Sequence, residues 1–418
     1  MSKLDDLINE LCPNGVETYP FSVVFDEIKG MGGVTNKWAE TGNCRFIDYL
    51  NAYNNLSIDV NDLPFATVKN LEQDTLRKGD ILFTSASEVP DECAIASAIE
   101  DDIEEGIFLD DHLFGLRPNS TFNPKINTGF LKHYFHSESY RKSVLKAVRG
   151  VTRFYISKPN FMKIILPIPP LEVQDEIVRI LDNFTSLEAE LEAELEARRR
   201  QYEYYRDSLL TFGDDVEWKT IGELFDFKNG LNKDKSAFGN GIPFVKYTDV
   251  YNNKKIIKEL LTGKVQLNEK EIESFGVHKG DVLFTRCSET KEEVGFASAV
   301  TEDLGDCAFN GFVLRARPKT DLLLPDYCAY CFRTSYVRKE IIRTCSFTTR
   351  ANTTGVILSK IKIPVPSHEK QKQIVTILDR FESLCNDITS GLPAEIETRH
   401  KQYEYYRDKL LTFKRKEI

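Results

Sequence analysis

An internal duplication is the feature that most constrains this chain. The segment RRRQYEYYRDSLLTF at 198–212 returns at 399–413 as RHKQYEYYRDKLLTF, an offset of 201 residues. KGDILFTSASE at 78–88 returns at the same offset as KGDVLFTRCSE at 279–289. Self-similarity at a fixed period is the signature of a repeated structural unit. The sequence of 418 residues is therefore predicted to hold two copies of one unit of roughly 200 residues.

Each predicted unit has two parts. Short apolar runs after KGD turns indicate a β-rich domain with a few helices, such as 131–148 and 327–344. A proline-rich stop follows, and after it the apolar residues take coiled-coil spacing, interrupted in the second copy by an insertion, SGLP, near 390–393. The predicted fold class is α+β, with two β-rich domains separated by two long antiparallel helices in a pseudo-two-fold repeat. The predicted boundaries are 1–170 and 213–367 for the domains, and 171–212 and 368–418 for the helices.

The helical stripes must be covered, because apolar and aromatic side chains line one face of each helix. We predict that the two stripes pack on each other, with the outer residues left for partner docking. The alternative is that each helix folds back on its own domain. The residues assigned to helix pairing and docking are Ile177, Leu181, Phe184, Leu191, Leu195, Tyr202, Tyr205 and Leu209 in the first helix, and Ile374, Leu378, Phe381, Tyr403, Tyr406 and Leu410 in the second.

Composition and motifs exclude several classes of function. No apolar run reaches the roughly 18–20 residues of a membrane span, and the first residues lack a signal-peptide core, so a cytoplasmic location is expected. There is no GxxxxGK[ST] phosphate loop, and no amino-methyltransferase tetrapeptide of the N/D-P-P-Y/F/W type. A single CxxC at Cys328 and Cys331 lacks a second ligand pair, so no metal site is predicted. The chain is not expected to be an enzyme by itself.

Charge is unevenly distributed, although the net charge of −10 argues weakly against DNA. Residues 132–163 hold eight basic residues and one acid, and 333–362 hold seven basic residues and one acid. A clustered basic tract indicates a phosphate-binding surface more strongly than net charge does. Two such domains, held apart by a stiff helical pair, suggest that each binds one part of double-stranded DNA and that the helices fix the distance between them.

The candidate DNA contacts lie where basic residues and hydroxyls share a loop. Arginine can bond guanine and asparagine can bond adenine through two hydrogen bonds, whereas lysines more often contact phosphates. The candidates are Lys37, Ser85, Ser87, Arg149, Thr152 and Arg153 in the first copy, and Lys233, Lys235, Lys246, Arg286, Ser288, Thr349, Arg350 and Asn352 in the second. Two alternatives stay open: Thr84, Ser87 and Glu88 merely cap a turn, or Arg153 and Arg350 form surface ion pairs.

The pattern as a whole resembles the specificity subunit of type I restriction–modification systems. The resemblance covers essentially the whole chain and is carried by CPNGVE at 12–17, the two KGD strands, the PIPPLEVQDEIVRILD and PVPSHEKQKQIVTILD segments, and GLPAEIETRHKQYEYYRDKLLTF with its central counterpart. It implies two target recognition domains, each reading one half of a bipartite asymmetric site, with the helices setting the spacer. The central helix departs from the pattern, because LEAELEAELEARRR lacks the GLPAEI break of the second copy.

The resemblance also implies partners. Two modification subunits, which bind S-adenosylmethionine and methylate adenine N6, would dock on the helices, and two ATP-dependent, Mg-requiring restriction subunits would complete the nuclease. No cofactor is expected on this chain itself. The rival interpretations are a modification-only or phase-variable methylation system, a coiled-coil scaffold that does not bind DNA, and an enzyme with an unrecognised active site.

Overall fold

The computed structural model describes residues 3–213, 215–386 and 391–416, and these form two compact units. Unit 1 comprises residues 1–192 and 395–418, and unit 2 comprises residues 193–394. Each unit therefore joins one domain to the start of the helix that follows it and to the end of the other helix. Among the described residues, no helix is both long and apolar enough to cross a membrane.

The described residues of unit 1 form four small sheets. An antiparallel sheet packs its strands in the order Phe25–Lys29, Leu113–Pro118, Ile81–Thr84 and Ala96–Ala98. A mixed sheet has the order Val34–Ala39, Phe65–Val68, Cys44–Ile47 and Ile107–Leu109. The remaining sheets pair Val148–Gly150, Phe154–Ile156 and Ala86–Ser87, and Glu17–Pro20 with Ile165–Ile168. The domain helices are Lys3–Leu11, Phe21–Val24, Tyr49–Asn54, Thr128–Tyr134, Glu138–Leu145 and Lys158–Phe161, with short 3₁₀ turns at Pro90–Glu92 and Asn123–Lys125.

Unit 2 repeats this plan with local changes. Its largest sheet has the order Phe225–Asn229, Val313–Pro318, Val282–Thr285, Ala297–Val300 and Lys255–Ile256. The other sheets join Gly263–Val265, Phe238–Val245 and Ala308–Phe309; Cys287–Ser288, Ala351–Asn352 and Ser346–Phe347; and Glu217–Thr220 with Lys362–Val365. The domain helices are Ile221–Leu224, Tyr247–Asn252, Glu269–Phe275, Pro325–Cys331, Ser335–Thr344 and Gly355–Leu358, with 3₁₀ turns at Lys235–Ala237 and Lys258–Leu260.

The repeated KGD motif anchors the central strand of each domain. The Asp80 carboxylate is fully buried, accepts the Arg77 backbone N–H at 2.8 Å, and receives the Arg117 guanidinium at 2.7 and 2.6 Å. In unit 2, Asp281 accepts two hydrogen bonds from Arg317, at 2.9 and 2.8 Å. A buried charge is tolerated only when it is paired and hydrogen-bonded. The motif therefore has a structural role, and this role explains why both copies retain the motif.

Two helices predicted as single elements each form two helices in the structure. The first helix ends at Tyr134, and the Ser137 hydroxyl accepts the Tyr140 N–H as the N-cap of the next helix. Thr334 plays the same part in 327–344, where it accepts the Val337 N–H. Serine and threonine are strong N-caps, so each begins a new helix inside an apolar pattern that looked continuous. The sequence prediction was wrong at these two breaks.

The central helix, Leu171–Leu209, is continuous over 39 residues, whereas the second copy forms helices His368–Asn386 and Leu392–Leu410. Ser390 of the predicted insertion lies outside the described residues, Gly391 precedes the last helix, and Leu392 and Pro393 are the first residues of that helix. In unit 1, Phe184 stacks on Tyr406 at 5.2 Å between ring centroids, and Glu188 lies 2.8 Å from His400. Rising numbers on one helix meet falling numbers on the other, so this pair is antiparallel, as predicted.

The helical stripe also packs against the domains. Ile177, Leu181 and Tyr403 are buried in the core of the first domain, with Phe184 and Leu410 at its edge. In unit 2, Ile374 and Leu378 are buried in the second core, with Tyr202 and Leu209 at its edge, and Tyr205 stacks on Phe381 at 5.1 Å. Leu191 and Leu195 are half-buried. The stripe thus covers domain and partner helix together, which combines the two arrangements that the sequence left open.

Buried polar contacts lock these helices to the domains. His133 is fully buried, with Nε2 2.8 Å from Asp182 of the central helix and Nδ1 3.0 Å from the Tyr403 hydroxyl of the last helix. Burial lowers the pKa of His133, and it raises the pKa of Tyr403 to about 12. At the equivalent place in unit 2, the Tyr330 hydroxyl donates to Asp379 and, at 3.1 Å, to Glu382. Each domain is therefore tied to its helices through hydrogen bonds made by buried side chains.

Candidate nucleic-acid interface

A small hairpin sheet presents the predicted arginine of the first domain. Strands Val148–Gly150 and Phe154–Ile156 pair with each other, and the second also pairs with Ala86–Ser87. The turn needs Gly150, whose φ is +122° and where a Cβ would lie 2.1 Å from the Arg153 carbonyl oxygen. Thr152 and Arg153 are exposed at this tip. The fold therefore projects Arg153 into solvent beside the loop that follows the KGD strand.

The second domain builds the same sheet in the same register. Phe154 lies opposite Ser87, and Ala351 lies opposite Ser288. Arg153 and Arg350 each precede these paired residues, so they occupy equivalent positions. The Arg350 side chain is 60% exposed, and its guanidinium is 3.9 Å from Glu289. An exposed pair at that distance contributes little, so the guanidinium is available to another ligand.

The predicted hydroxyls beside the arginines are engaged in local turns. Ser85 donates to the His112 carbonyl, while Ser87 donates to Glu92 at 2.7 Å. Ser288 donates to Glu293 at 2.8 Å, the same bond in the second copy. Arg286 is half-buried beside this turn, Thr349 is exposed in the hairpin tip, and the Asn352 side-chain amide donates to the Arg350 carbonyl. The structure brings these residues together around the two arginines, with the serines shaping the turn.

The predicted basic residues outside the tips have local partners or lie elsewhere. The Lys37 ammonium contacts both Asp110, at 2.9 Å, and Asp111, which together with His112 form a group that could hold a metal ion. Lys233 pairs with Glu271 at 2.8 Å, and Lys246 donates to Thr262. Lys235 is exposed at the start of a short turn, and Arg149 donates to nearby backbone carbonyls.

Several residues of the two basic tracts support the fold. Arg333 is largely buried and donates to the carbonyls of Ala297 and Asn253, and burial lowers its pKa to about 10. Arg338 donates to the Glu292 carbonyl, as Arg141 does to the Asp91 carbonyl in the first copy. These two arginines fix the turns that carry Glu293 and Glu92. These arginines of the tracts therefore serve the fold and are not free to contact phosphate.

The CxxC residues lie in the core of the second domain. Cys328 and Cys331 are buried in helix Pro325–Cys331 among aromatic and aliphatic side chains. Burial raises the pKa of the Cys331 thiol to about 12. A thiol with a raised pKa is a poor metal ligand and a poor nucleophile, because both roles need the thiolate. The pair acts as apolar filling.

Each domain also carries a pair of stacked tyrosines that was not among the predicted site residues. Tyr49 and Tyr53 stack with ring centroids 5.7 Å apart, and Tyr247 and Tyr251 stack at 6.0 Å. The Tyr251 hydroxyl donates to Glu293 at 3.0 Å. In unit 1, burial raises the pKa of the Tyr53 phenol, and the hydrogen bond to Glu92 raises it further. The signal was the match between RFIDYLNAYNN and PFVKYTDVYNN, whose tyrosines are one helical turn apart.

Comparison with known proteins gives a consistent assignment. A family model described as the type I restriction modification DNA specificity domain matches residues 35–197 and again 213–398. The specificity subunit of the EcoR124I/EcoR124II type I restriction enzyme of Escherichia coli is 34% identical over 284 residues, covering 63% of this chain and 67% of the relative. A Haemophilus influenzae protein named as a type I restriction enzyme specificity subunit is 32% identical over 308 residues, covering 69% and 73%.

A solved structure shares the fold. A chain from a study of complex assembly and conformational transition of the type I R-M system superposes with a TM-score of 0.60 at 16% identity, covering 96% of this chain and 98% of that chain. The likeness extends over both copies of the repeat. The resemblance inferred from the sequence motifs is confirmed, and this chain belongs to the type I restriction–modification specificity family, with two copies of the DNA specificity domain.

Proposed function

We propose that this chain is the DNA-recognition subunit of a type I restriction–modification complex, in which each unit reads one half of a bipartite site. One observation carries the proposal: the same hairpin sheet stands in both units with an exposed arginine at the same register. Around that shared position, the neighbouring side chains differ between the copies. Two related domains whose arginines are surrounded by different side chains suit an asymmetric site, because base edges are distinguished by the groups that contact them.

Binding of DNA by the assembled complex is expected to depend steeply on salt. Contacts to phosphates release counterions, and six to ten of them reduce affinity on the order of 10³-fold or more between 50 and 200 mM salt. Fluorescence anisotropy with a labelled duplex measures this directly, and the modification subunits without this chain serve as the control. A scaffold that does not bind DNA predicts the same weak signal with and without this chain.

The helical ends are proposed to dock two modification subunits, one on each copy of the QYEYYRD motif. Most of the motif has a structural role: Tyr202 and Tyr403 face the domains, and Asp207 and Asp408 accept backbone N–H groups at helix starts, at 3.1 and 2.9 Å. The motif nevertheless also retains Tyr204 and Tyr405, which are 69% and 61% exposed. Large exposed aromatic residues are typical anchors of protein interfaces.

Replacing Tyr204 with alanine is expected to weaken docking of one modification subunit by about 30-fold, the cost of losing an interface anchor of about 2 kcal/mol. Tyr405→Ala should weaken the other. Native mass spectrometry at limiting concentration would then show one modification subunit in either single variant and none in the double variant. Leu145→Ala is the control, since this side chain is 39% exposed but lies outside the motif. Full stoichiometry in the double variant would contradict the proposed docking surface.

Catalysis is proposed to reside in the partner chains. The modification subunits would supply S-adenosylmethionine-dependent methylation of adenine N6, and two ATP-dependent restriction subunits would supply cleavage. The place of action is then the cytoplasm, where the target DNA and these partners are found. A modification-only assembly would use this chain in the same way, because recognition and docking do not require the nuclease.

A further inference from the structure

The stacked tyrosines and the hairpin arginine belong to one groove in the second domain. A cavity of about 380 Å³ is lined by Tyr247, Tyr251, Phe312 and Arg350, together with Glu289, Glu293, Cys287 and Ser288. The Tyr251 hydroxyl and the Ser288 hydroxyl both donate to Glu293, which holds the tyrosine wall against the loop. Burial raises the pKa of Tyr247, which lies within hydrogen-bonding reach of Ser288 and Thr285. The wall is therefore a pre-ordered aromatic surface with its hydroxyls already engaged.

The first domain contains the same set of groups. Tyr49 and Tyr53 form the stacked pair, Ser87 donates to Glu92, and Arg153 lies close enough to influence Tyr49 electrostatically. Glu88 corresponds to Glu289 at the offset of 201 residues. Because register, hydrogen bonds and stacking all recur, this arrangement of side chains belongs to the repeated unit and is not peculiar to one domain.

Charge decides which part of DNA suits this groove. Glu293 is occupied by two hydroxyl donors, but Glu289 has a side chain that is 85% exposed and only a long contact to Arg350. A free carboxylate repels phosphate, whereas it accepts a hydrogen bond from an exocyclic amino group on a base edge. Adenine N6 and cytosine N4 are the amino groups displayed in the major groove. The groove is therefore better matched to a base than to the backbone.

The residues around the groove separate into a shared centre and a variable rim. The centre, shared by both domains, consists of the tyrosine pair, the serine–glutamate bond, the exposed glutamate and the arginine. The rim differs: Ser85, His112 and Tyr155 in the first domain correspond to Arg286, Phe312 and Asn352 in the second. His112, Phe312 and Tyr155 are all more than half exposed. A shared centre suits a feature common to both half-sites, and a variable rim suits what distinguishes them.

We propose that Glu88 and Glu289 are specificity-determining residues, each accepting a hydrogen bond from the exocyclic amino group of one adenine or cytosine in its half-site. The inference rests on the proposed function, since it assigns a base contact within each recognition domain. The tyrosine wall and the serine–glutamate bond position the loop that carries the glutamate. Both half-sites should therefore contain one position where the amino group, rather than the whole base, determines affinity.

The test uses the assembled complex with its modification subunits and a duplex bearing the full recognition site. At each position in turn, purine replaces adenine, or 2-pyrimidinone replaces cytosine, so that only the amino group is lost. The complex with both glutamates in place should lose about 10-fold in affinity at one such position in each half-site. Glu289→Ala should abolish that sensitivity in one half-site, and Glu88→Ala should abolish it in the other. Whether the sensitive analogue is purine or pyrimidinone identifies the base.

Two features keep the test decisive. Both glutamates are exposed, so their removal should not unfold the domains, and Glu259→Ala is the matched control because Glu259 is exposed in the second domain but does not line the groove. Unchanged amino-group sensitivity in both variants would overturn the inference, as would equally tighter binding to every duplex, which is what mere removal of a negative charge produces. If the complex with both glutamates in place showed no sequence preference at all, the proposed function itself would fail.

Discussion

Arg350→Ala is expected to reduce affinity for one half-site roughly 10- to 100-fold, as for loss of a bidentate base contact, while the other half-site is read normally. The arginine stands at the hairpin tip with a largely exposed side chain and only a long ion pair, so its removal should leave the fold intact. Competition binding against duplexes altered in one half or the other measures the effect. The reason for the separation is that each hairpin sheet is built within its own unit.

Two further variants define the role of this side chain. Arg153→Ala should transfer the defect to the opposite half-site, because Arg153 holds the equivalent register position in unit 1. Arg350→Lys keeps the charge but loses the planar pair of donors, so it should behave like alanine at a base and nearly like arginine at a phosphate. A uniform loss across all duplexes, with lysine restoring binding, would reassign Arg350 to the backbone. Equal loss at both half-sites would contradict modular reading.

Lengthening the central helix is expected to change the accepted gap between half-sites by one or two base pairs. Four more residues of the LEAE repeat, inserted after Glu194, add about 6 Å at 1.5 Å per residue, against about 3.4 Å per base pair. The change should be nearly all-or-none, since DNA of the old spacing would present one half-site out of place. The central helix should accept this insertion, because Leu171–Leu209 is continuous and carries exposed charged residues around Glu194.

A panel of duplexes with spacers of different length measures this change. A four-residue insertion after Gly305 is the matched control, because Gly305 lies on an exposed turn where a Cβ would meet no atom within 4 Å. That control should keep the original spacer. An unchanged spacer in the helix variant, with the complex intact, would reject the helix as the element that sets the gap.

The sequence was most informative where structure depends on local patterns. The duplication, the KGD strands and the long helices were all predictable, because repeat offsets and apolar spacing are visible in the chain itself. Ser137 and Thr334 escaped notice as helix breaks, because an N-cap inside an apolar pattern looks like an ordinary polar residue. The helical stripe could not be divided between domain and partner helix, because both surfaces accept the same side chains.

The candidate site was harder to predict, because its contacts join distant segments. The charge of Lys37 favours a DNA contact, but its partners Asp110 and Asp111 lie more than 70 residues away in the sequence. Arg333 and Arg338 looked like surface charge, yet they bond backbone carbonyls inside the domain. The tyrosine pairs were visible only as a match between copies. Each pair is held in place by a hydrogen bond to Glu92 or Glu293, which lie about 40 residues further along the chain.

Single-molecule methylation sequencing of a genome exposed to the complete complex shows whether two separate domains read a divided site. The expected result is one asymmetric motif with two defined parts, separated by a fixed number of unspecified base pairs, and with methylated adenine in each part. The same measurement on the Arg350→Ala complex should show one part relaxed and the other unchanged. A single contiguous motif, or a motif in which both parts change together, would contradict recognition by two separate domains.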